Sequence, residues 1–107
     1  MVKEIIVDHS KITREPTHPG MLFAEVLPEL DGGRRTVAEI ASLLRISRQA
    51  LHRVMAGRAA VSPEMAARLG KLCGNGPDLW LNMQAAHDLW RVKQKMGKEI
   101  ARIPTLA

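Results

Sequence analysis

The residues with the clearest chemical capacity are arginines. Six of them, Arg34, Arg35, Arg45, Arg48, Arg53 and Arg58, fall between Arg34 and Ser62, against a single acid, Glu39. A guanidinium block this dense on a short segment is the electrostatic footprint of a polyanion binder. Side chains that can read base edges stand among them: Ser47-Arg48-Gln49-Ala50, then His52 and Arg53 one helical turn later. Gln49 can hold an adenine through two hydrogen bonds, Arg48 or Arg53 can take a guanine or a phosphate, and Ala50 can meet a thymine methyl. Thr36 opens a helix whose free amides can hold a phosphate, with Arg34 and Arg35 beside it. Ser47 and Arg58 complete the candidate phosphate contacts.

Other chemistry finds less support. His9, His18, His52 and His87 show no metal-ligand spacing, and the single cysteine, Cys73, excludes a disulfide framework or a multi-cysteine metal site within the chain. No cofactor motif is present, so neither metal nor cofactor is expected. Cys73 reads as a small core residue rather than a nucleophile. His52 lacks an evident acid–base partner, so the chain is not expected to be an enzyme. Trp80 and Trp90 read as packing residues of the last helix, since a base-stacking surface would call for more aromatics than two Trp, one Phe and no Tyr.

Helices must position these groups. Pro19 is placed as a first-turn residue of a helix carrying Leu22, Phe23, Val26 and Leu27, which Pro28 limits. Asp31-Gly32-Gly33 marks a turn. Thr36 and Glu39 have capping-box spacing, and behind them Val37, Ile40, Ala41 and Leu44 form one buried face. Ser47 can cap the next helix, which turns Leu51, Val54 and Met55 inward and stops at Gly57. Ser62-Pro63 opens a fourth helix bearing Met65, Ala66, Leu69 and Leu72, with Gly74 as its stop. A fifth starts near Asp78, with Leu79, Met83, Ala86 and Trp90 as its expected apolar stripe. The second and third helices, joined by a turn of about three residues, have the spacing of a helix-turn-helix, whose second helix enters the major groove.

At 107 residues, with 46% hydrophobic and 25% charged residues and a formal charge of +5, the chain has room for one domain with a core and not for two. The reading is all-α. Residues 1–17 form an N-terminal arm in which Val2–Val7 can make one short strand, residues 18–103 form the five-helix domain with its helix-turn-helix over roughly 36–56, and residues 104–107 form a tail. No apolar run approaches the ~20 residues of a membrane span and no signal peptide is evident, so a soluble cytoplasmic protein is expected.

Longer stretches carry a family resemblance. Pro16-Thr17-His18-Pro19-Gly20, Ser47-Arg48-Gln49, Ser62-Pro63-Glu64-Met65-Ala66-Ala67-Arg68-Leu69-Gly70-Lys71, and Leu79 to Trp90 closely resemble the HigA (VapI-like) antitoxins, which carry a phage-repressor-type helix-turn-helix. The resemblance covers about Pro16 to Trp90. It implies a five-helix lambda-repressor-like fold and a homodimer that binds an inverted repeat in its own promoter. It also implies a partner, a HigB-like toxin of the RelE superfamily that cleaves mRNA and is neutralised in a complex. Where the family often has glycine in the turn of the motif, this chain has Arg45, expected to be modestly strained if left-handed.

Because a ribonuclease that grips RNA should be basic, the acidic residues before the arginine block, Glu4, Asp8, Glu15, Glu25 and Glu29, are the candidate toxin contacts. A solitary regulator with the same motif and no toxin stays open as the alternative. So does the ribonuclease itself, which intact RNA after incubation with the protein would dispose of.

Overall fold

The helices begin where local chemistry can satisfy their free amides. In the computed structural model, which describes residues 14–107, α1 spans Pro19–Val26, α2 Val37–Leu44, α3 Arg48–Met55, α4 Pro63–Cys73 and α5 Pro77–Ala101. The Thr36 hydroxyl accepts the Glu39 amide at 3.1 Å while the Glu39 carboxylate accepts the Thr36 amide at 2.9 Å, a complete capping box. The Thr36 amide first, and then the Thr36 hydroxyl, hold the Glu39 carboxyl below its ordinary range. Ser47 and Ser62 cap α3 and α4 through the amides of Ala50 and Met65. Pro28 does not end the first helical stretch outright: it enters a 3-10 segment, Leu27–Gly33, that breaks up where Asp31 and Gly32 take positive φ. The strand expected at Val2–Val7 lies outside the described residues.

The core is built from one face of each helix: Phe23 of α1, Ile40 and Leu44 of α2, Leu51 and Val54 of α3, Ala66 and Leu69 of α4, and Trp80 of α5. Phe23 and Trp80 meet edge to face at 6.1 Å, and the Trp80 indole N–H donates to Asn75 Oδ1 at 3.1 Å. Both tryptophans thus pack: Trp80 is buried and Trp90 half-buried. Cys73 is half-buried beside the core, and burial pushes its thiol pKa up, which keeps it a thiol rather than a thiolate. No helix of the described residues is long and apolar enough to cross a membrane.

The expected stripe on α5 is corrected by the structure. Leu79 is 44% exposed, and the residues buried from α5 are Trp80, Gln84 and His87. The inward face is half polar because it satisfies backbone groups of distant segments. Gln84 Oε1 accepts the Val61 amide at 2.7 Å, and the His87 Nδ1–H donates to the Pro16 carbonyl at 2.8 Å.

His18, buried at the start of α1, meets His87 edge to face at 5.1 Å. Its Nδ1 accepts the Gly20 amide at 2.9 Å, so the neutral ring is the helix cap. Burial first, and then the neighbouring His87, hold the His18 pKa below the ordinary histidine value. The unfolded ring therefore takes a proton at higher pH than the folded one. The contribution of this cap is full above about pH 6.5 and is lost as the pH falls below it. His18→Asn keeps an acceptor for the cap, so the drop in Tm between about pH 7.5 and pH 5 should be shallower than in the parent protein. An identical drop in both would assign the acid sensitivity elsewhere.

Candidate nucleic-acid interface

Burial of Leu51 and Val54 fixes which side of α3 faces out. Arg48, Gln49, His52 and Arg53 are exposed on the other side, and Ala50 is half-buried at the edge. The structure thus brings the five base-edge candidates onto one eight-residue helix. None of Arg48, Gln49, His52 and Arg53 has a side-chain hydrogen bond or ion pair among the described residues, so these polar ends point into solvent where a duplex can meet them.

The phosphate candidates divide. Arg34 and Arg58 are exposed at opposite ends of the helix pair, Arg34 before α2 and Arg58 just beyond α3. Ser47 is exposed, and its oxygen already accepts the Ala50 amide, leaving its hydroxyl hydrogen to donate. Arg35 is engaged: its Nε bonds Asp31 Oδ2 at 3.0 Å. An exposed pair of this kind is worth ~0–1 kcal/mol, so a phosphate can displace the carboxylate. Thr36 is engaged more fully. The capping box uses both its hydroxyl and its amide, and the Glu39 carboxylate occupies the positive end of α2, so only the later amides there stay open to an anion.

Arg58→Ala tests the backbone contacts most simply. It should weaken binding to any duplex nearly uniformly and lower the slope of log K against log salt by about one unit. An unchanged slope would remove Arg58 from the contact set.

The expected acidic surface is only partly presented. Glu25 and Glu29 are exposed on α1 and the 3-10 segment. Glu15 is held within the chain, 3.3 Å from Arg91 Nε and 3.4 Å from His87 Nε2. Glu4 and Asp8 lie outside the described residues.

Arg45 is left-handed, with φ 62 and ψ 41. Its amide bonds Ser42 O at 3.0 Å and the Ile46 amide bonds Ala41 O at 3.1 Å, the paired closure that usually employs glycine at this position. Sequence reasoning missed Gln84, His87 and Arg68, whose bonds reach segments far along the chain, and His18, which caps α1 through the Gly20 amide two residues on. The proline after His18 was the one local sign of a cap, and histidine is not among the usual capping residues.

Comparisons with known proteins agree with this geometry. A family model described as a helix-turn-helix domain matches residues 24–80. The chain is 40% identical over 98 residues to YbaQ, an uncharacterised helix-turn-helix-type transcriptional regulator of Escherichia coli K12, covering 89% of this chain and 84% of that one. It resembles the solved structure of an addiction module antidote protein of a HigA family from Coxiella burnetii, with 32% identity, a TM-score of 0.76, and 88% and 100% of the two chains covered. It also resembles Pseudomonas aeruginosa antitoxin HigA, solved with the higBA promoter, at 29% identity and a TM-score of 0.73, covering 87% and 100%.

Proposed function

The chain belongs to the helix-turn-helix family that includes the HigA antitoxins, and on that premise we propose that it is a sequence-specific repressor of its own operon and the antitoxin of a RelE-superfamily toxin. The observation that carries the DNA half is the outer face of α3, where Arg48, Gln49, His52 and Arg53 stand together on a helix anchored by Leu51 and Val54. That helix lies in the major groove with its N-terminal residues against base edges. Arg34 and Arg58 hold the backbone on either side, Ser47 donates to a phosphate, and Arg35 and Thr36 assist at the start of α2. The solved HigA relative with its promoter supports the same reading. This is a binding function in a family that is not an enzyme class, exercised in the cytoplasm where the operon is transcribed.

An inverted repeat calls for two copies. The outer half of α5 supplies a surface for the second: Leu89, Val92, Met96 and Ile100, each about two-fifths exposed, recur every three or four residues along one side. α4, which packs along α5, is 11 residues long against 25, so the far end of α5 runs beyond α4 and leaves this stripe exposed among the described residues. Val92→Glu combined with Met96→Glu should give a monomer by light scattering and reduce operator affinity at least tenfold, since each half-site is then bound alone. A dimer that survives both changes would move the interface elsewhere.

The toxin half is tested by tagging the protein at its native locus and identifying what purifies with it. A stoichiometric small basic protein encoded next door supports the antitoxin; recovery of the protein with DNA alone points to a solitary regulator. If the toxin is captured, Glu25 and Glu29 with the arm residues Glu4, Asp8 and Glu15 are the contacts to map.

A further inference from the structure

One buried-end problem in the helix-turn-helix is solved from outside it. The left-handed closure at Arg45 satisfies the Ala41 and Ser42 carbonyls and leaves that of Leu44, the last residue of α2, without a partner in the motif. Arg68, on α4 and 24 positions along the chain, supplies it: Nη1 donates to Leu44 O at 2.7 Å and reaches Arg45 O at 3.4 Å. Its other terminal nitrogen lies 3.5 Å from Glu64, one turn earlier on α4, which helps aim the guanidinium. The group is partly buried; the two hydrogens of one terminal nitrogen reach two successive carbonyls, and the planar fork leaves the second nitrogen to face Glu64.

We propose that Arg68 is the positioning residue of the recognition helix: by clamping Leu44 O and Arg45 O it fixes the turn Arg45-Ile46-Ser47 and so the angle at which α3 presents Arg48 and Gln49. The inference rests on α3 being the recognition helix, and it requires no contact between Arg68 and DNA. It also accounts for an arginine in the left-handed position. A bond from α4 to its carbonyl offsets part of the strain that glycine would avoid.

The test combines amide hydrogen exchange with binding to operator and random duplexes, using Arg68→Ala and Arg68→Lys. In Arg68→Ala, exchange at the Arg45 and Ile46 amides should speed up about tenfold, as expected for loss of a charged hydrogen bond. The Leu69 amide, in the core of α4, should exchange as in the parent, showing that the fold persists. Operator affinity should fall about tenfold with random-duplex affinity and salt slope unchanged. Arg68→Lys, with a point charge in place of a fork, should recover part of each effect. Equal losses on both duplexes with a reduced salt slope would make Arg68 a phosphate contact and overturn the proposal. So would unchanged exchange at Ile46, or faster exchange with operator preference intact. If the parent protein shows no operator preference at all, the reading of α3 fails, whereas the exchange result alone reports whether Arg68 orders the turn.

Discussion

Replacing Gly20 by alanine is expected to destabilise the fold by about 3 kcal/mol or more, at the upper end of what overpacking costs. α1 crosses α3 at this residue, and a Cβ there would overlap the Val54 carbonyl, its carbon only 2.6 Å away. Backbone cannot swing aside as a flexible side chain can, so α1 must lift from α3 or α3 must tilt. Both options disturb Phe23 and Val54, which the crossing buries. Urea denaturation should show a lower midpoint with an unchanged slope. A loss under ~0.5 kcal/mol, the range of an indifferent surface change, would mean the helices do not approach this closely. Gly97→Ala is the control: its added methyl meets nothing, and in an exposed stretch of α5 it should be neutral or stabilising by up to ~1 kcal/mol.

The second large effect concerns recognition rather than stability. Gln49→Ala should reduce operator affinity by about 1–3 kcal/mol, roughly five- to 150-fold, because a bidentate amide–adenine pair is lost. Gln49 is exposed in the first turn of α3, the part of a recognition helix that meets base edges. Alanine keeps the helix and touches none of the arginines, so affinity for random duplex should hardly change. The ratio of the two affinities is therefore the informative quantity. Equal losses on operator and random DNA would assign Gln49 to the backbone, or to nothing.

What was legible in the sequence was local. Thr36 with Glu39, Ser47, and Ser62 before Pro63 declare their helices because a cap and its target lie within three residues, and the apolar positions between them recur at the helical period. The outward set on α3 followed by subtraction once Leu51 and Val54 were placed inside. What was hidden depends on partners far along the chain. The inward face of α5 was misplaced because Gln84 and His87 are buried to satisfy Val61 and Pro16, and a hydrophobicity pattern assigns polar residues to solvent. Arg68 carries no mark of its task, since its acceptors lie 24 and 23 positions away. Arg35 looked available for phosphate, and its pairing with Asp31 depends on the tight reversal that the left-handed Asp31 and Gly32 impose between them.

The central claim, that a dimer of this chain reads an inverted repeat in its own promoter through α3, is tested most directly by footprinting and titration on that promoter against a scrambled duplex at two salt concentrations. The account predicts protection with two-fold symmetry, half-sites about one duplex turn (~34 Å) apart. Binding should exceed that to the scrambled duplex by at least about a thousandfold and weaken steeply with added salt. Equal affinity for both duplexes, or protection without symmetry, would contradict it.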